Sequence, residues 1–105
     1  MHSQYIQLQV TVNDRKLAEQ LIRALLQKRL IACGQCLPKM DSYYQWQGKI
    51  AIDEEYLLLL KTRRQHYQAA EQMIIKHHPY ETPEIIATDI AVGHKAYLTW
   101  IQDET

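Results

Sequence analysis

Apolar and polar residues alternate from Tyr5 to Val12. Ile6, Leu8, Val10 and Val12 fall on one side, and Gln7, Gln9 and Thr11 on the other. A period of two predicts a half-buried strand. Asn13 then offers a helix N-cap. Leu17, Leu21 and Leu25 recur at i+4 with Ala18, Ile22 and Leu26 beside them, which predicts an amphipathic helix over about 14–29. A second extended region follows over about 31–46. Gln47-Gly48 predicts a tight turn in which Gly48 supplies a positive φ.

A third strand is expected from Lys49 to about Lys61, apolar on both faces from Leu57 to Leu60. Asp53-Glu54-Glu55 interrupts its alternation and predicts a bulge or bend. Thr62 and Gln65 stand in capping-box spacing, so a second helix should begin near Arg63. Its buried stripe is Tyr67, Ala70, Met73 and Ile74. Pro79 cannot continue it, and His78, which precedes a proline, is pushed toward extended geometry. A fourth strand is expected from Glu84 to Val92. Gly93 breaks the chain, and a short helix over about 94–103 carries Tyr97, Leu98 and Ile101.

The order is βαββαβ with a short C-terminal helix. Two βαβ halves joined by a hairpin form the ferredoxin-like arrangement, an α+β sandwich. Right-handed crossovers put both main helices on one face of an antiparallel sheet. With 105 residues the chain makes a single domain, 1–105. The middle two strands are about twice the usual ~5–6 residues. The first helix covers only part of such a hairpin. Its far end would expose Tyr43, Tyr44, Trp46, Ile50 and Ile52. An overhanging aromatic hairpin is an aggregation hazard unless a partner covers it, so Tyr43, Tyr44 and Trp46 are the candidate oligomer interface.

Composition narrows the function classes. Hydrophobic residues make up 47% and charged residues 23%, which argues against disorder. Twelve basic residues balance twelve acidic ones, and the one basic cluster is Lys61-Thr62-Arg63-Arg64, so nucleic acid is not an expected partner. No apolar run is long enough to span a membrane, so no membrane partner is expected. Met1-His2-Ser3-Gln4 does not open a secretory leader, and two cysteines imply no disulfide framework. A cytoplasmic location is expected.

Three constellations could carry chemistry. Cys33-Gly34-Gln35-Cys36 is a C-x-x-C, readable as a redox dithiol or half a zinc site. It opens a strand rather than a helix, and positions three apart on a strand face opposite sides. Only a bulge at Gly34 would join the sulfurs, and buried structural thiols are the better reading. His77-His78 is the candidate metal pair, since imidazoles suit copper, zinc and nickel. The plain alternative sets His77 against the helix C-terminal dipole and leaves His78 exposed. Tyr80, Glu81 and Glu84 lie around two prolines in a loop suited to a pocket. No nucleophile, oxyanion donor or glycine-rich phosphate loop accompanies them, so no catalytic residue is assigned and no enzyme is expected.

Read in order, several segments resemble the divalent-cation tolerance protein CutA family. They are Ile31-Ala32-Cys33, Pro38, Tyr44-Gln45-Trp46-Gln47-Gly48-Lys49, Leu60-Lys61-Thr62, His77-His78-Pro79-Tyr80-Glu81-Thr82-Pro83-Glu84 and Tyr97-Leu98-Thr99-Trp100. The resemblance covers nearly the whole chain. It implies a ferredoxin-like subunit in a homotrimer, related in architecture to PII signalling proteins, and a link to tolerance of copper and other divalent metal ions. It implies no established catalysis. Copper binding in bacterial members is tied to a tandem histidine, matched by His77 and His78, and to a first-strand cysteine. Val10 stands at the latter position, so Cu(II) binding is expected to be weak and histidine-based. Gly34 and Cys36 replace residues that are usually apolar in the family. The candidate pocket is Lys61, Tyr80, Glu81 and Glu84. The alternative function is a PII-like sensor of a small molecule or protein partner, with ligand held in clefts between subunits.

Overall fold

The computed structural model describes residues 2–105, so Met1, part of the expected domain and of the leader reading, lies outside the described residues. Strand β1 is Tyr5–Val12, helix α1 Arg15–Gln27, strand β2 Cys33–Cys36, strand β3 Met40–Trp46 and strand β4 Lys49–Arg63. A 3₁₀ turn at Arg64–His66 leads into helix α2, Tyr67–His77. Strand β5, Ile85–Asp89, and helix α3, Lys95–Glu104, complete the chain. The strand order is β2-β4-β1-β5, antiparallel throughout, with β3 pairing the outer part of β4. This is the expected α+β, ferredoxin-like order.

The alternation in β1 sets the core. Ile6, Leu8, Val10 and Val12 are buried, and β4 matches them with Leu58 opposite Val10 and Leu60 opposite Leu8. Ala18, Leu21 and Leu25 of α1 and Ala70 and Ile74 of α2 close over that face. Each large side chain so buried contributes roughly 1.5–3 kcal/mol. The opposite face is covered at one end by α3. There Ile101 is fully buried, the Tyr5 hydroxyl donates to Gln102 Oε1 at 3.1 Å and the Tyr97 hydroxyl lies 3.9 Å from Cys33 Sγ.

Several local expectations shift for identifiable reasons. Asp14, not Asn13, caps α1, its carboxylate accepting from the Leu17 N–H at 3.2 Å. The helix closes earlier than residue 29 because Arg29 adopts a positive φ of 55° and the Leu30 N–H returns to the Leu25 carbonyl. Thr62 forms no capping box; it is a buried β4 residue, and α2 starts after the 3₁₀ turn. The break in the long hairpin falls on the other strand. Register runs unbroken from Met40 opposite Glu55 to Trp46 opposite Lys49, so Asp53-Glu54-Glu55 makes no bulge. The interruption is at Leu37-Pro38-Lys39, where a proline lacks the N–H a ladder needs. At the tip, Gln47 and Gly48 both have positive φ, 51° and 77°, as a two-residue hairpin turn requires.

Strand β2 resolves the C-x-x-C. Cys33 pairs Lys61 and Cys36 pairs Leu58 in a regular ladder, so no bulge brings the sulfurs together. Cys33 faces Tyr97, while Cys36 packs on the core; both are free thiols. Gly34 serves packing instead. A Cβ there would stand 2.7 Å from Ile22 Cγ2, so its absence lets α1 lie close over β2. Gly34→Ala is expected to destabilise the fold by about 1–3 kcal/mol through overpacking. A urea midpoint equal to that of the unsubstituted protein would contradict this.

Candidate functional site

Strand β4 runs on past the end of β1. Its inner residues 56–63 pair with β1, and its outer residues 49–55 pair only with β3. The outer hairpin therefore leaves the domain, and the loop after α2 comes to lie beside its base. Between them is a cleft of about 770 Å³. Register puts Tyr44 and Trp46 on the same hairpin face as Asp53 and Glu55. Tyr44 and Trp46 meet edge to face, with centroids 6.5 Å apart. Tyr80, Glu81 and Glu84 line the cleft from the loop side.

The hydroxyls are committed to carboxylates. Tyr80 donates to Glu55 Oε2 at 3.2 Å, and Tyr44 donates to Asp53 Oδ2. Burial, with the Glu55 carboxylate beside it, pushes the Tyr80 hydroxyl up to about 12. Its hydrogen bond to Asp53 raises Tyr44 as well. Both phenols therefore stay protonated at neutral pH and act as donors.

Tyr80 is placed by His78. The His78 side chain is buried, not exposed. Its Nε2–H donates to the Thr11 carbonyl at 2.7 Å, and its Nδ1 accepts from the Tyr80 N–H at 3.1 Å. The two rings lie 4.7 Å apart. This neutral ring ties the loop to the end of β1, and both of its nitrogens are occupied. His77 differs. It is exposed, and its Nδ1–H donates to the Met73 carbonyl one turn back at 2.9 Å, which leaves Nε2 facing outward. The tandem histidines thus do not form a joint metal pair. Among the described residues no group of three or more His, Cys, Asp or Glu side chains is placed to hold a metal ion. Among the described residues the pair offers no preformed copper centre, and of its two rings only His77 keeps a nitrogen open to the surface.

The structure gathers three of the four pocket candidates and separates the fourth. Lys61 stands six residues from Glu55 along β4, roughly 20 Å at ~3.3 Å per residue. Its Nζ donates to Gln35 Oε1 at 2.8 Å. The cleft takes Asp53 and Glu55 instead, which sequence reasoning treated as a fault in the strand. Their shared parity with Ser42 and Tyr44 follows from the hairpin register.

His78→Ala leaves the Thr11 carbonyl and the Tyr80 N–H without partners. It is expected to cost about 1–3 kcal/mol, whereas His77→Ala should stay within about 0.5 kcal/mol. Urea unfolding measures both, and equal stability of the two variants would contradict the assignment. Nitrogen-15 spectra should show His78 as the Nε2–H tautomer.

Comparison with known proteins covers almost the same span. The family model described as "CutA1 divalent ion tolerance protein" matches residues 6–104. The divalent-cation tolerance protein CutA of Thermus thermophilus is 38% identical over 96 residues, covering 91% of this chain and 93% of its own. This chain spans about half the length of the mouse and human CutA proteins it matches, 54% of each. The crystal structure of CutA from Xylella fastidiosa superimposes with a TM-score of 0.94 at 43% identity, covering 97% of this chain and 98% of that one. CutA1 from Shewanella sp. SIB1 gives 0.97 at 35% identity, over 100% and 98%. With the family model matched over 6–104 and these relatives alike over nearly the whole chain, the chain belongs to the CutA1 divalent ion tolerance family.

Proposed function

We propose that this chain serves divalent-cation tolerance as a self-associating, non-enzymatic homotrimer. Direct copper contact is made at the surface by Nε2 of His77. The observation that carries the assembly part is the uncovered outer hairpin. Tyr43 is 69% exposed, Trp46 62%, Ile50 72% and Ile52 58%. By register Tyr43 faces Ile52 on the side away from Tyr44, so one hairpin face is apolar while the other lines the cleft. The open sheet face adds half-exposed Leu57, Leu59 and Ile86. Apolar surface of this kind is stabilised when a second copy removes it from water. Three subunits is the number that the family resemblance implies. Tyr43, Ile50 and Ile52 are the anchors of this interface; Tyr44, bonded to Asp53, and Trp46 beside it lie on the cleft face.

The metal part is narrower than a tandem-histidine site. The Nδ1–H bond of His77 to a carbonyl fixes the ring and leaves Nε2 as the donor, the arrangement usual for a ligating histidine. One imidazole holds copper weakly and prefers Cu(II) to Zn(II) by the Irving–Williams order. Among the described residues no helix is long and apolar enough to cross a membrane. The proposed setting is cytoplasmic, where Cys33 and Cys36, held apart on opposite faces of β2, stay reduced.

Light scattering with Cu(II) calorimetry at neutral pH tests both parts. The expected result is a mass of three subunits and a weak Cu(II) heat that His77→Ala abolishes without changing that mass. A one-subunit mass at micromolar concentration would overturn the assembly. Unchanged Cu(II) affinity in His77→Ala would overturn the metal contact.

A further inference from the structure

Four carboxylates gather at the cleft, while four others elsewhere stand in ion pairs with basic side chains. Glu19 pairs with Arg23, Glu104 with Arg29, Glu54 with Lys39 and Asp89 with Arg64. Asp53, Glu55, Glu81 and Glu84 form no ion pair among the described residues, and no basic side chain lines the cleft. Glu55 is the telling member. It is only 8% exposed, and its carboxylate has the Tyr80 hydroxyl as its one hydrogen-bond partner among the described residues. A buried carboxylate without a countercharge is costly, and a cation brought to it relieves that cost.

The shape of the site selects the kind of cation. A hard divalent ion needs several oxygens converging at about 2.0–2.6 Å. The cleft carboxylates are spread around some 770 Å³ and form no such cluster, and both phenols remain protonated. Between the carboxylates stand the edge-to-face Tyr44–Trp46 pair and the Tyr80 ring. Aromatic faces hold methylene chains and attract ammonium groups. We propose that this cleft binds a linear polyamine, its ammonium groups on Glu55, Asp53 and the loop glutamates and its methylenes against Tyr44, Trp46 and Tyr80. Net charge is zero, so the attraction is local to the cleft and not a property of the whole surface.

Calorimetry of the full chain with spermidine tests this, at about 0.15 M salt where exposed charges are screened beyond about 8 Å. The expected result is one spermidine per subunit, with affinity lowered at least tenfold in Glu55→Gln and also in the double variant Glu81→Gln/Glu84→Gln. Glu19→Gln, outside the cleft, should bind as the unsubstituted protein does. The loop variant alters only exposed side chains, so it stands as the test if Glu55→Gln fails to fold. Equal binding in the loop variant, or displacement by an equal concentration of Mg²⁺, would overturn the proposal. A correctly assembled protein that takes up no spermidine would also overturn it, the cleft then being filled by a neighbouring subunit, while the assembly reading would stand.

Discussion

Everything outside the core follows from a mismatch in strand length. β4 has 15 residues and β1 has eight. A strand's backbone groups need partners on at least one side, so the outer seven residues of β4 require a strand of their own. β3 is that strand. The proline at position 38 lets it separate from β2, and both serve the same long strand in succession. The hairpin therefore projects from the domain, and the longest dimension reaches 44 Å against 29 and 24 Å. A monomer derives little from such a projection, because too little of it is buried to offset the entropy of ordering it. An uncovered hairpin and an aromatic cleft are two consequences of one overlong strand.

A second tie makes the cleft a defined place. The loop after α2 could hang free, since prolines at 79 and 83 deny it regular pairing. His78 fixes it by joining the Thr11 carbonyl to the Tyr80 N–H through one ring. That ring works because a neutral imidazole is both donor and acceptor. Tyr80 then reaches across to Glu55 on the hairpin base. The same ring that looked like a metal ligand is thereby withdrawn from metal chemistry, and its neighbour is left to the solvent. A member of a family associated with divalent cations thus presents here a tandem histidine with one ring nitrogen open to the surface and a separate, anionic cleft.

Much of this was legible in the sequence. The alternation of Ile6, Leu8, Val10 and Val12 fixes which face of β1 is core, and the i+4 leucines of α1 supply its cover. The overhang was legible because a helix of that length cannot span so long a hairpin. What escaped were features decided by through-space partners. Asp53 and Glu55 read as a flaw in a strand because the residues opposite them, Ser42 and Met40, are known only once register is known. Burial of His78 depends on where the end of β1 lies after folding, 67 residues away in sequence. Lys61 shared a motif with the pocket residues, but motif adjacency along a chain says little about distance along a rigid strand.

If another copy of the chain completes the outer hairpin, protection of its amides depends on protein concentration. Amide hydrogen exchange across β4 tests this most directly. Inner amides, 56–63, are protected by pairing on β1 whatever the assembly state. Amides of residues 49–55 are expected to exchange nearly as slowly as these at high protein concentration, and to lose protection on dilution. Fast exchange of residues 49–55 at every concentration, beside a steadily protected inner segment, would contradict it.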